Sequence, residues 1–192
     1  MDRKFMKLGF LVVIASILVC SLVIVDDAKA QQAKEPYLFG APYPLTGKFS
    51  IFGISNQQAV MYAVTEINKK GGIHGRPVKV IWYDDEGDVT KGLMNVRRLI
   101  EEDKVHFLLG PVMSGTTIAA TPIIQKAEIP TIVPSAAIEI TEPPKKWIFQ
   151  YTTPTIYMHD EIMAHCKQIG ITKVGMLSET SYLGESNAKL AR

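Results

Sequence analysis

The sequence predicts an α/β protein: a parallel-sheet lobe with helices on both faces, followed by the start of a second, similar lobe. Two observations predict it. Apolar runs of strand length recur at residues 37–41, 78–83, 105–109 and 129–133, and the stretches between them carry a helical repeat. Regular alternation of strand and helix makes right-handed βαβ units, whose sheet is covered on both faces.

The chain opens on a segment of another kind. Arg3, Lys4 and Lys7 precede residues 8–25, an uncharged apolar run of 18 residues, and Ala28-Lys29-Ala30 then places small residues where a signal peptidase reads. These parts make residues 1–30 a secretory signal peptide, with cleavage expected before Gln31 and a periplasmic or other extracytoplasmic destination. An uncleaved anchor is the rival reading, since the run reaches the lower end of spanning length. A lipoprotein is the weaker one, because Cys20 lies inside the run and follows Val19 rather than a small residue. After cleavage only Cys166 remains, so no internal disulfide is expected and Cys166 reads as a buried free thiol.

The elements then follow in order. Val60, Ala63, Val64 and Ile67 draw one apolar stripe between the first two strands, and Val89, Leu93, Val96 and Ile100 do the same between the next two. Gly71-Gly72 stops the first helix, and Gly75 and Pro77 turn the chain into the next strand. The third helix should begin near Ser114. Pro122 would cost about 3 kcal/mol inside an unbroken helix, so either the helix kinks there or Thr121 caps a second, short one. Residues 134–146 form a loop carrying Pro143-Pro144, residues 148–151 a further strand, and Thr152-Thr153-Pro154 a connection out of it. Residues 156–169 read as a helix, 174–177 as a strand, and Gly184 starts another helix. Residues 31–151 are therefore expected as a first ligand-binding lobe and residues 152–192 as the incomplete beginning of a second.

Composition excludes several function classes. With 47% hydrophobic and 21% charged residues the chain can bury a core. Beyond residue 30, 17 basic residues face 16 acidic ones, which gives no field to attract nucleic acid. No G-x-G-x-x-G follows the first strand and no G-x-x-x-x-G-K-[ST] occurs, so no nucleotide cofactor is expected. His159 and His165 stand on different faces of a helix, His74 in a glycine turn and His106 in a strand, a scatter that predicts no metal site. Asp84, Asp85, Glu86 and Asp88 lack the ligand spacing of an EF-hand and read as caps for the following helix.

In an open parallel sheet, solutes bind beyond the carboxyl ends of the strands. Three loops there stand out: residues 42–53, residues 110–117 and residues 134–137. In the second, Ser114 can cap the following helix while Gly115 lets backbone amides approach a ligand. Such helix starts hold carboxylates and phosphates; a serine that only caps its helix is the plainer reading.

Pro44-Leu45-Thr46-Gly47, Glu66-Ile67-Asn68 with Gly71-Gly72-Ile73 and Gly75, Tyr83-Asp84-Asp85, and Gly110-Pro111 followed by Ser114 occur in that order. Together they resemble the leucine/isoleucine/valine-binding branch of the type I periplasmic binding proteins, from about residue 37 to the end. The resemblance implies two hinged lobes closing on a solute, no catalysis, and delivery to the permease subunits of an ABC importer. The solute would be an amino acid or a related small carboxylate or amide, and the membrane would be met only through the export signal. By position, Ser114 and Gly115 would bind a ligand carboxylate, the Ser135 carbonyl an ammonium, and Phe52 would cover the pocket, unless it is a core phenylalanine. Ala136 and Ala137 complete the fourth-strand loop. Ala137 stands where family members usually offer a hydroxyl. Tyr182 is displaced by one residue from the family's second-lobe tyrosine, leaving Ser181 and Leu183 as near-equal candidates. A ligand-sensing domain of a receptor or regulator is the alternative within binding modules. A small α/β enzyme is a third reading, but these loops lack the positioned histidine it would need.

Overall fold

The computed structural model describes residues 34–190, so the signal-peptide assignment and Cys20 lie outside the described residues. The chain divides after Glu35, and the fold is that of the unit from Pro36 onward. Its elements are β1 (Tyr37–Tyr43), α1 (Ser50–Lys69), β2 (Val78–Asp84), α2 (Val89–Glu101), β3 (Phe107–Leu109), α3 (Ser114–Ala127), β4 (Thr131–Val133), a short 3-10 helix (Ile138–Ile140), β5 (Ile148–Gln150), α4 (Thr155–Gln168) and α5 (Tyr182–Leu190). The α/β expectation holds. Five strands form one sheet in the order β2-β1-β3-β4-β5, all pairs parallel.

Strand ends are set by pairing rather than by apolar content. β1 and β2 pair from Tyr37↔Val78 to Tyr43↔Asp84, whereas β1 meets β3 only at Phe39↔Phe107 and Gly40↔Leu108. Pro42, with no N–H for a ladder, falls past the end of that second pairing, which is how a central strand tolerates it. Val105 is core and His106 accepts a bond from the Leu38 amide at Nδ1 (3.1 Å), yet both precede the paired part of β3.

One core lies between the sheet and α2 and α3, built from Val96, Leu99, Leu108, Ala120, Ile124 and Val133 with Ile140 and Ile148 closing its end. Ala41, Tyr43 and Val112 form a smaller cluster, with Trp82 and Met113 packed on it. In α2 it is Leu99, fully buried, rather than Ile100 that anchors the stripe. On α1 the predicted stripe is only half-buried and Ala63 is exposed, because α1 packs mainly on β1 and β2. The helix is held at its end by Asn68, whose side chain donates to Val78 O (2.9 Å) and accepts from Val78 N (2.8 Å). Gly72, at φ 77°, ends the turn where a Cβ would lie 2.0 Å from Arg76 O.

Three expectations are corrected or decided here. α3 runs unbroken through Pro122, and Thr121 does not cap a second helix; its hydroxyl donates back to Thr117 O at 2.9 Å. Residues 174–177 do not form a strand: they find no strand neighbour among the described residues, and Leu177 is 99% exposed. Cys166 is a free thiol but half-buried, since the α4 face that carries it has little packed against it.

Candidate functional site

The strand order reverses between β1 and β3, so the loops after these strands diverge and leave a crevice. A cavity of about 870 Å³ opens there. Lys48, Phe49, Phe52 and Asn56 of the first loop and α1 line one wall, and Gly87, Asp88 and Val89 the stretch before and into α2. Residues 112–115, 134–136 and 179–183 complete it.

The wall formed by α3 presents the start of a helix to the cavity. Its first intrahelical bond runs from Thr117 N to Met113 O (3.0 Å), so the amides of Ser114, Gly115 and Thr116 precede the helical ladder. Met113, not Ser114, is the capping residue, and it makes no side-chain cap bond. The capping reading of Ser114 is thereby corrected: its side chain sits one position inside the helix, too far along to reach the amides ahead of it. Ser114 is 4% exposed, and its Oγ has no partner among the described residues. A buried hydroxyl without a partner costs free energy, which a bound acceptor or donor would recover.

Below this wall the loops are tied together. Ser135 Oγ lies 2.7 Å from Thr117 Oγ1, 3.1 Å from Pro111 O and 3.0 Å from Val112 O. The Ser135 carbonyl accepts from Gln150 Nε2 at 2.6 Å, so one of its lone pairs is already engaged. The resemblance implied a ligand role for that carbonyl and gave no hint of the hydroxyl's part as a strut.

The aspartates after β2 divide the work. Asp88 caps α2 as expected, accepting from Lys91 N at 2.8 Å. Asp84 instead clamps the first loop, accepting from Leu45 N (2.9 Å), Thr46 N (3.3 Å), the Thr46 hydroxyl (2.6 Å) and Glu86 N (2.9 Å). Burial alone would raise its carboxyl; these bonds outweigh that and hold it below the ordinary value. Asp85 is fully buried, with one oxygen bonded to Gly87 N (2.8 Å) and the other without a partner among the described residues. Desolvation pushes it up to about 6, with the Asp84 and Asp88 charges adding to the shift against the Gly87 bond.

Of the residues read from sequence, Phe52, Ser114, Gly115, Ser135, Ala136 and Tyr182 all line the cavity. Phe52 is 55% exposed, so it is a mouth residue and not core. Ala137 is not among the lining residues: it is 2% exposed and packs in the main core, because the chain turns inward toward Ile140 there. Ser181, Tyr182 and Leu183 line the cavity together, and a Cβ on Gly115 would stand 3.3 Å from Tyr182 Cβ. Burial first, and then the Glu139 carboxylate, raise the Tyr182 phenol. Lys48, Asn56 and Glu179 were missed, since nothing in their local sequence marks them. Asn56 also accepts from the Tyr151 hydroxyl (3.0 Å), joining α1 to the residue after β5.

A family model described as periplasmic binding protein matches residues 36–192. The chain belongs to that family. This periplasmic binding protein is 32% identical over 134 residues to the leucine-, isoleucine-, valine-, threonine- and alanine-binding protein of Pseudomonas aeruginosa, covering 69% of this chain and 36% of that one. It is also 32% identical over 114 residues to a Leu/Ile/Val-binding protein of Rhizobium johnstonii, covering 59% and 31%. It thus spans about a third of the length of these curated relatives. Among solved structures it is similar to the isoleucine complex of the branched-chain amino acid transporter substrate-binding protein LivJ from Streptococcus pneumoniae, with TM-score 0.61 and 27% identity over 64% of this chain and 35% of that one. A solute-binding protein of an ABC transporter from Rhodopseudomonas palustris, in complex with 3,4-dihydroxybenzoic acid, shares the fold with TM-score 0.72 at 24% identity, covering 81% and 42%.

Proposed function

We propose that this periplasmic binding protein is part of the extracytoplasmic solute-binding component of an ABC importer. It binds a small amino acid or a related carboxylate in the crevice between β1 and β3, without chemistry, and passes it to permease subunits in the membrane. The single observation that carries this is the partnerless, buried Ser114 hydroxyl beside the free amides at the start of α3, on the wall of the cavity. Amides and dipole at a helix start suit a carboxylate, and a serine hydroxyl adds one donor. Both relatives at 32% identity carry leucine, isoleucine and valine in their names, which makes these three the first solutes to try.

In the same reading, residues 1–30 are the export signal, residues 31–151 the first lobe, and residues 152–192 belong to a second lobe. The apolar side chains that α4 and the following segment leave exposed, among them Met158, Ile162, Ile171, Val174 and Met176, support that assignment. They are the surface another layer would cover.

The experiment is calorimetric titration of the three amino acids into the chain and its Ser114→Ala variant. Loss of a hydrogen bond to a charged group should weaken binding by about 1.5 to 3 kcal/mol, roughly ten- to a hundredfold. Equal affinities for both forms would remove Ser114 from the site.

A further inference from the structure

The cavity carries one cation that the resemblance did not single out. Lys48 lines it, and among the described residues no carboxylate lies within ion-pair distance of its ammonium. The two acidic side chains that also line the cavity are engaged elsewhere: Asp88 caps α2, and Glu179 accepts from Ser181 N at 2.9 Å and from the Ser181 hydroxyl. Lys48 is nonetheless not left to wave in solvent. Its Nζ lies 4.6 Å from the centroid of the Phe49 ring, a cation–π contact. The ring in turn lies on Gly87, where a Cβ would come within 2.5 Å of it, and Gly87 has φ 74°, a conformation that glycine adopts freely. Glycine, ring and ammonium form a stack beside the cavity, and all three residues line it.

We propose that Lys48 is a second anion contact, so that the solute this cavity favours is a small molecule with two acidic groups. One carboxylate sits at the start of α3 and the other meets the Lys48 ammonium. The inference rests on the reading of Ser114 as the first carboxylate site and adds the charge at the other end. A solute with a single carboxylate leaves the ammonium to water. One with a second acidic group replaces that water with a charged partner on a side chain already restrained by its ring, which lowers the entropy lost on pairing.

The test compares glutarate with butyrate, which carry the same three-carbon chain on one carboxylate and differ by the second, in titrations of the chain, Lys48→Met, Lys48→Arg and Ser114→Ala. The chain should hold glutarate about fivefold tighter than butyrate, the size expected of a rim ion pair, and the ratio should fall as salt is raised. Lys48→Met should bring the ratio to about one, and Lys48→Arg should restore it. A ratio of one in the unaltered chain, a ratio that survives Lys48→Met, or no glutarate binding at all overturns the role of Lys48. Ser114→Ala should weaken both probes alike. If it moves neither while the Lys48 ratio behaves as expected, the first-carboxylate reading fails and the cation site stands alone.

Discussion

A Cβ on Gly53 would lie 1.9 Å from the carbonyl oxygen of Pro44. The first turn of α1 therefore crosses the end of β1 at a distance that only glycine permits, and the blocking atom is backbone, which cannot swing aside. Gly53→Ala should force α1 outward. Overpacking of this kind costs about 1 to 3 kcal/mol, a fall in Tm of roughly 3 to 10 °C for a chain this size. Phe52 and Asn56 ride on the same turn, so solute affinity should fall with stability. Thermal melts and titration of the variant check both, and an unchanged Tm would show that α1 does not dock this closely.

Asp85 predicts an unusual pH dependence. Its folded value of about 6 lies above the ordinary aspartate value of 3.8, so the folded state holds the proton more tightly than the unfolded one. Its contribution to stability is greatest below the unfolded value and is lost as pH rises through about 6. Asp85→Asn removes the buried charge, keeps an acceptor for Gly87 N, and offers N–H groups beside Thr116, whose hydroxyl also lacks a partner. The variant should melt a few degrees higher at pH 7.5, and the gain should vanish near pH 4. A variant that is less stable at pH 7.5 would show that the carboxylate is held by bonds rather than burdened by burial.

Ala137 reverses an expectation drawn from the family. It stands where family members usually offer the solute a hydroxyl, but the methyl of Ala137 packs in the core cluster that holds Ile140 and Ile148. Ala137→Thr should cost about 1 to 3 kcal/mol through overpacking and a buried hydroxyl, with no gain in affinity. Chemical denaturation measures the cost. Tighter amino-acid binding at unchanged stability would put position 137 back on the cavity wall.

The alternation of strands and helices was legible because buried parallel strands must be apolar along their length, and the runs at Val78 and Ile129 announce themselves. Their ends were not. Pairing begins at Phe107 and Thr131 because neighbours start there, which no single run encodes. The run at Val174 shows the same limit from the other side, since apolar content without a neighbouring strand makes no strand. The strand-end loops were legible from topology, which with the helix start drew attention to Ser114; within those loops it was the resemblance that picked out Phe52 and Ser135. Lys48 and Glu179 were not, as their place on the wall depends on how Phe49 lies on Gly87 and how α5 meets α3. Asp84 was read as one cap in a run of acids. Its three bonds into the first loop depend on Tyr43 and Asp84 being register partners at the ends of β1 and β2.

The hydroxyl strut between Ser135 and Thr117 has a kinetic consequence. It fixes the backbone of Pro111 and Val112 from below, so the wall that receives the solute is set before any solute arrives. Little loop ordering is then left to be done at the moment of encounter, and arrival rates should differ little from one solute to the next. Selectivity on this wall should appear as residence time: a solute that satisfies Ser114 lingers, and one that does not leaves quickly.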